Sequence, residues 1–275
     1  MNMFFTLTSP ESKRLIGKAV AKMPIVSETM ARGGKILISP GSTTAYAAEG
    51  LTGNKLDISR FPCGCIAFGR TCRTAESRDG AILIEKTVVS TMDAKDKRGS
   101  ANEIASGLGN NDLMIKGANA IDPQGNAGFL LGNSAGGLLL AFMPAHSVKG
   151  CPIVVPVGLE KLVASVPEAL KAVRGINGYD VSFGRGCGYH MLSDGIIVTE
   201  LEAVNILTGC TAVHVASGGI GTSAGSVVLS ASGEEGNIQE LASLIKSIKG
   251  EPPIEEWKMQ CKDCEKHCNY PLKQK

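Results

Sequence analysis

Apolar residues along this chain fall into short β-branched runs that alternate with stretches of helical spacing, the mark of an α/β unit with a largely parallel sheet. Strands are expected at residues 35–39, 65–68, 81–90, 113–116, 127–131 and 153–157. Ser9-Pro10 offers an N-cap and first-turn proline to a helix reaching about residue 23, and Gly33-Gly34 closes the next helix. Further helical patterns cover 45–51, 96–108, 135–143 and 160–174. Within the last, Ser165 and Glu168 form a capping box, and local helix chemistry is the reading for Glu168.

After Gly175-Ile176-Asn177-Gly178 the rhythm changes. A strand at 195–198, a helix at 199–207 opened by a Thr199/Glu202 capping box, strands at 211–216 and 226–230 and a helix at 238–248 give a β-α-β-β-α order that suggests a ferredoxin-like α+β unit. Pro252-Pro253 ends regular structure. The expected fold class is therefore α/β, a Rossmann-like largely parallel sheet over residues 1–176, a smaller ferredoxin-like α+β domain over 177–250 and a Cys-rich tail over 251–275.

Composition narrows the function classes. A formal net charge of +2 on 275 residues is too weak to draw the chain to nucleic acid by bulk electrostatics, and the longest apolar stretches fall short of the roughly 18–20 residues of a membrane span. No nucleic-acid or membrane partner is expected. The N-terminus lacks a basic n-region, and nine Cys, an odd number, most of them set in apolar or Gly-rich segments, fit a reducing compartment, so a cytoplasmic location is expected.

The 34 glycines concentrate at strand-to-helix loops, where they admit a ligand close to the backbone. Ser39-Pro40-Gly41-Ser42-Thr43-Thr44 combines a glycine, hydroxyls and a helix N-terminus, which suits an anion cradle; capping by Ser42 or Thr43 explains the same residues. It lacks the Gly-Lys-Ser/Thr of a nucleoside-triphosphate loop. The segment 116–128 supplies a cation at Lys116 and a carboxylate at Asp122, parts for acid/base chemistry, although Asp122-Pro123-Gln124-Gly125 is equally a sound β-turn. Gly136 and Gly137, before an apolar helix, leave room for a ligand or a second backbone, and His146 reads as a cap where that helix ends.

The residues 36–45 (Ile-Leu-Ile-Ser-Pro-Gly-Ser-Thr-Thr-Ala) and 116–125 (Lys-Gly-Ala-Asn-Ala-Ile-Asp-Pro-Gln-Gly) together resemble the superfamily of ribose-5-phosphate isomerases, glucosamine-6-phosphate deaminases and CoA transferases, and the sugar-sensing domains of DeoR-type regulators. The stretch 138–163 is similar to the lactate-utilisation branch of that group. This resemblance, over about residues 35–175, implies a phosphorylated sugar or CoA-type ligand bound over the strand C-termini. It places a phosphate at Gly41, Ser42, Thr43 and Thr44 and lines the site with Lys116, Asn119 and Asp122. The phosphosugar pattern has Gly-Ala-Asp where this chain has Asn119, and no counterpart of the isomerases' downstream carboxylate and lysine is found, which leaves a non-catalytic sensor as an alternative to an isomerase- or transferase-type enzyme. A homo-oligomer is expected.

The tail reads differently. Cys261, Cys264 and Cys268, with His267 among them, have the spacing of ligands to one metal, zinc or an iron–sulfur cluster. An alternative function follows, a metal-dependent redox or assembly factor with the α/β body as scaffold. Cys63, Cys65 and Cys72 form a second group, with Arg70 and Arg73 favouring a thiolate at Cys72. Cys187, beside Arg185 and His190 in a glycine-rich segment, is a candidate ligand-contacting residue, while Cys151 and Cys210 read as packing residues.

Overall fold

The continuous apolar runs are explained by a sheet covered on both faces. In Lys35–Ile38, Ile36 and Ile38 enter one hydrophobic core and Leu37 the other; in Leu113–Ile115, Leu113 and Ile115 join the first and Met114 the second. Val154 separates from Ile153 and Val155 in the same way. Successive side chains of a strand point to opposite faces, so a strand buried on both sides has no polar position.

The computed structural model describes residues 1–62, 64, 66–67, 69–72, 80–86, 88–92 and 100–255. In chain order these form β1 (Asn2–Leu7), α1 (Ser9–Lys22), α2 (Pro24–Ala31), β2 (Lys35–Ile38), α3 (Ser42–Thr52), β3 (Ile66–Ala67), β4 (Arg70–Thr71), β5 (Ala81–Glu85) and β6 (Val88–Met92). Then follow α4 (Ala101–Gly107), β7 (Leu113–Ile115), β8 (Ala120–Ile121), β9 (Ala127–Leu131), α5 (Gly137–Ser147), β10 (Ile153–Pro156) and α6 (Val166–Ala172). The chain closes with β11 (Gly188–Leu192), β12 (Ile196–Val198), α7 (Glu200–Thr208), β13 (Thr211–Gly218), β14 (Ser226–Ser232) and α8 (Glu235–Ile248).

The fold is mixed α/β. A six-stranded sheet runs β12-β10-β7-β2-β5-β6, with β12, β10, β7 and β2 paired in parallel and the β2/β5 and β5/β6 pairs antiparallel, so that β5 alone runs against the rest. One face packs α1, α7, α8 and a three-stranded antiparallel sheet, β1-β14-β13, through Leu15, Ile16, Val204, Leu241, Leu7, Val227 and Leu229. The other face packs α4, α5 and β9, part of an antiparallel sheet β11-β9-β8, through Ala105, Leu139, Phe142 and Phe129. Close approach of α1 to α3 requires glycine at position 17, where a Cβ would stand 2.5 Å from that of Tyr46.

Three sequence expectations change. The run 81–90 is not one strand but the paired strands β5 and β6. Residues 160–174 are not one helix, because Val163 N donates to Ile121 O at 2.8 Å, holding the chain extended, and the Ser165 hydroxyl restarts the helix by accepting from Glu168 N. The segment 195–198, expected to open the small unit, pairs instead with β10 in the large sheet, and β1 from the N-terminus pairs with β14 in its place. Residues of the small sheet β1-β14-β13 and of the large sheet share one hydrophobic core. The metal expectation at Cys261, Cys264, His267 and Cys268 lies outside the described residues, as do Cys63, Cys65 and Arg73.

Ionic contacts tie α1 to the end of α8. Burial raises the Glu11 carboxyl, but hydrogen bonds from Thr8 N, Gly250 N and Lys249 Nζ outweigh it and hold the group below the usual carboxylate value. Arg14 grips Glu251 with Nε and Nη2, both at 2.9 Å, and lies over the Tyr46 ring.

Candidate functional site

Four parallel strands end on one edge of the sheet, where loops free of ladder pairing present backbone and side-chain polar groups. Ser39 and Pro40 follow β2, and Lys116 follows β7. All three line a cavity of about 590 Å³. More of its wall comes from Cys72, the start of β5 and the end of β6, the end of β9, the starts of α4 and α5, and the segment containing Arg185 and Cys187.

Among the described residues, charge on this wall has one sign. Lys116 and Arg185 line the cavity, and no described Asp or Glu does. Lys116 Nζ lies 5.6 Å from the centre of the Phe129 ring, a cation held against the aromatic face. Arg185 Nε is buried, and no described group accepts a hydrogen bond from it. Gly136 and Gly137 begin α5 with φ of +74° and +61°, and no side chain caps the helix. A Cβ at Gly136 would lie 2.1 Å from Leu140 Cδ1, so this bare entry depends on glycine. Uncapped first-turn N–H groups and two cations make a site suited to an anion.

The structure divides the residues expected from sequence. Lys116, Gly136 and Gly137 line the cavity; Gly41, Ser42, Thr43, Thr44, Asn119 and Asp122 do not. Thr44 Oγ1 donates to Ser39 O at 2.7 Å and to Gly41 O at 3.0 Å, holding the turn into α3, while the buried Thr43 hydroxyl has no described partner. Asn119 accepts from Leu130 N at 3.0 Å and so braces β9.

Asp122 is 3% exposed and accepts from Gln124 N, Val166 N and both nitrogens of Asn126. Burial raises its pKa, but these hydrogen bonds outweigh it and hold the carboxyl below its ordinary value. Its geometry is that of a turn anchor. His146 is likewise engaged, with Nδ1 2.8 Å from Cys151 O and Nε2 3.1 Å from Asp194.

Sequence reasoning passed over a second polar group, on the other side of the same strand ends. Glu160 and Lys161 follow β10, Glu200 begins α7 after β12, and Lys13 comes from α1. Glu200 is fully buried and accepts from Leu159 N at 2.9 Å; Lys13 Nζ lies 3.5 Å from Glu160 Oε1; Lys161 Nζ donates to Ala118 O at 2.9 Å. Burial, and then the charge of Glu160, push Glu200 up to about 7. Burial holds Lys161 below the ordinary lysine value. The only sequence signal was position: each of the two glutamates lies within a few residues of the end of a parallel strand.

Among the described residues no helix is long and apolar enough to cross a membrane, and no group of three or more His, Cys, Asp or Glu is placed to hold a metal ion. In comparisons with protein-family models, curated proteins and solved structures, nothing matches this chain.

Proposed function

We propose that this protein binds a small anionic metabolite, a phosphosugar or a CoA-type ligand, in the cavity at the ends of β2 and β7. The observation that carries the reading is the wall itself: Lys116, Arg185 and an uncapped helix N-terminus face one cavity, which no described carboxylate lines. The volume, about 590 Å³, lies within the roughly 300–1,000 Å³ of small-molecule sites. The likeness of 36–45 and 116–125 to the phosphosugar isomerase and CoA-transferase superfamily supports the same ligand class.

A binding role without reaction chemistry, as in a metabolite sensor, is favoured over catalysis by one feature. Asp122, the carboxylate expected to act with Lys116, is consumed by the turn it anchors. Thermal unfolding with inorganic phosphate, phosphosugars and CoA esters tests the reading. An anion should raise the Tm of the full chain and fail to do so in Lys116→Ala/Arg185→Ala; no response to any anion, or an equal response in the variant, overturns it.

A further inference from the structure

The small sheet has an open edge. In the order β1-β14-β13, the strand β13 pairs antiparallel with β14 on one side, and no described strand lies on its other side. Alternate N–H and C=O groups of such a strand point away from its sheet and form a template for one more extended chain. At eight residues β13 is also long, against about five or six for a typical strand.

Sheet edges are ordinarily closed to pairing by charge, proline, brevity or a bulge. The opposite edge of this sheet carries a charge: Lys249 Nζ, after the end of α8, donates to Thr6 O on β1. In the large sheet the edge strand β12 is three residues long. Of these devices β13 has the bulge alone, a register shift between His214 and Ala216 that leaves Val215 without a partner on β14. It contains no proline, and residues 211–233, which span β13, the turn and β14, hold no Asp, Glu, Lys or Arg in a chain that is 20% charged.

The side chains on the outer face are apolar where they are large. Phe4, Ser230 and Val213 form one row across β1, β14 and β13, and Phe4 is 70% and Val213 60% exposed. Val215 is 53% exposed, and Ile220, in the turn after β13, 91%. The inner face of the same sheet is spent on the core, through Phe5, Leu7, Val227 and Leu229.

Backbone geometry and charge together select the occupant. The free groups of an edge are satisfied by an extended strand, and an edge without charge offers an acidic or basic segment nothing to offset its desolvation. A second copy of β13 brings an equally neutral edge, sets β-branched Val213 and Val215 beside their counterparts, and closes the assembly with a two-fold axis, the commonest symmetry of soluble oligomers. We propose that β13 pairs antiparallel with β13 of a second copy of this chain, joining the two small sheets into one continuous antiparallel sheet with Phe4 and Val213 on its outer face.

The test is sedimentation velocity of the full chain over a wide range of concentration, where a reversible monomer–dimer equilibrium is expected. Val213→Lys/Val215→Lys sets like charges against one another across the two-fold and should raise the dissociation constant by about a hundredfold or more. Both side chains are exposed in the single copy, so the circular dichroism of the variant should match that of the wild type. Hydrogen exchange in the wild-type chain locates the contact without any variant: amides of 211–218 should exchange slowly where the dimer dominates and quickly on dilution. A monomer at every concentration, a dimer equally tight in the variant, or exchange at 211–218 indifferent to dilution overturns the proposal. Slow exchange of these amides in the monomer overturns it too, since another segment of the chain then covers the edge.

Discussion

Two polar regions share the C-terminal edge of the central sheet and solve opposite problems. The cavity beyond β2 and β7 presents Lys116 and Arg185 and is lined by no described carboxylate, whereas the group beyond β10 and β12 sets Lys13 and Lys161 among Glu160 and Glu200. The first sets cations beside open volume. The second sets charges of both signs together, with Lys13 of α1 3.5 Å from Glu160, while buried oxygens of Glu160 and Glu200 have no described hydrogen-bond partner. Charge of one sign beside open volume suits a ligand, whereas opposite charges set beside one another suit a structural role.

The largest expected effect comes from unbalancing the second group. Lys13→Met keeps the apolar stem and removes the charge facing Glu160, and should cost about 3–5 kcal/mol of stability at pH 8, measured by denaturant unfolding. Lowering the pH to 5 should restore part of that loss, because Glu200 then carries a proton.

The wild-type pH profile comes next. Glu200 titrates near 7 in the folded chain and near 4.5 when unfolded, so the folded form holds the extra proton between those values. Stability should therefore fall as pH rises from 4.5 toward 7, by on the order of 3 kcal/mol, and level off above. Glu200→Gln, which can still accept from Leu159 N, should flatten this slope; an unchanged slope would assign it elsewhere.

In the cavity the expected effect falls on binding. An anion at about a hundredfold its Kd stabilises a protein by about 2.7 kcal/mol, and Lys116→Ala/Arg185→Ala should remove that increment, while Glu200→Gln should retain it. The smallest effect belongs to Thr43→Val. Its buried hydroxyl has no described partner, so the substitution should leave stability within about 1 kcal/mol or raise it. Weaker phosphate binding in that variant would return Thr43 to the anion site.

Much of the scaffold was legible because it is local. The apolar runs of β2, β7 and β10 appear in sequence, and the Thr199/Glu202 capping box opens α7 as expected, with Thr199 N donating to Glu202 Oε2 at 2.8 Å. Of the candidate site, Lys116, Gly136 and Gly137 were legible because they follow directly on a strand or precede an apolar helix. Asp122 shows where that logic stops. Its turn was visible, but the donor that completes its capture is Val166 N, which only the folded chain brings near.

The sequence by itself determined the alternation of strands and helices, the caps and the glycine-bearing loops, since each depends on residues within a turn or two of one another. Tertiary structure decided the rest. It paired β1 with β14, set Arg185 and Cys187 beside Cys72 and Lys116 on one cavity, and closed Glu160, Glu200, Lys13 and Lys161 into one ionic group. Those meetings join segments whose separation along the chain carries no periodicity, and burial and charge acquire their meaning only once the segments are in contact.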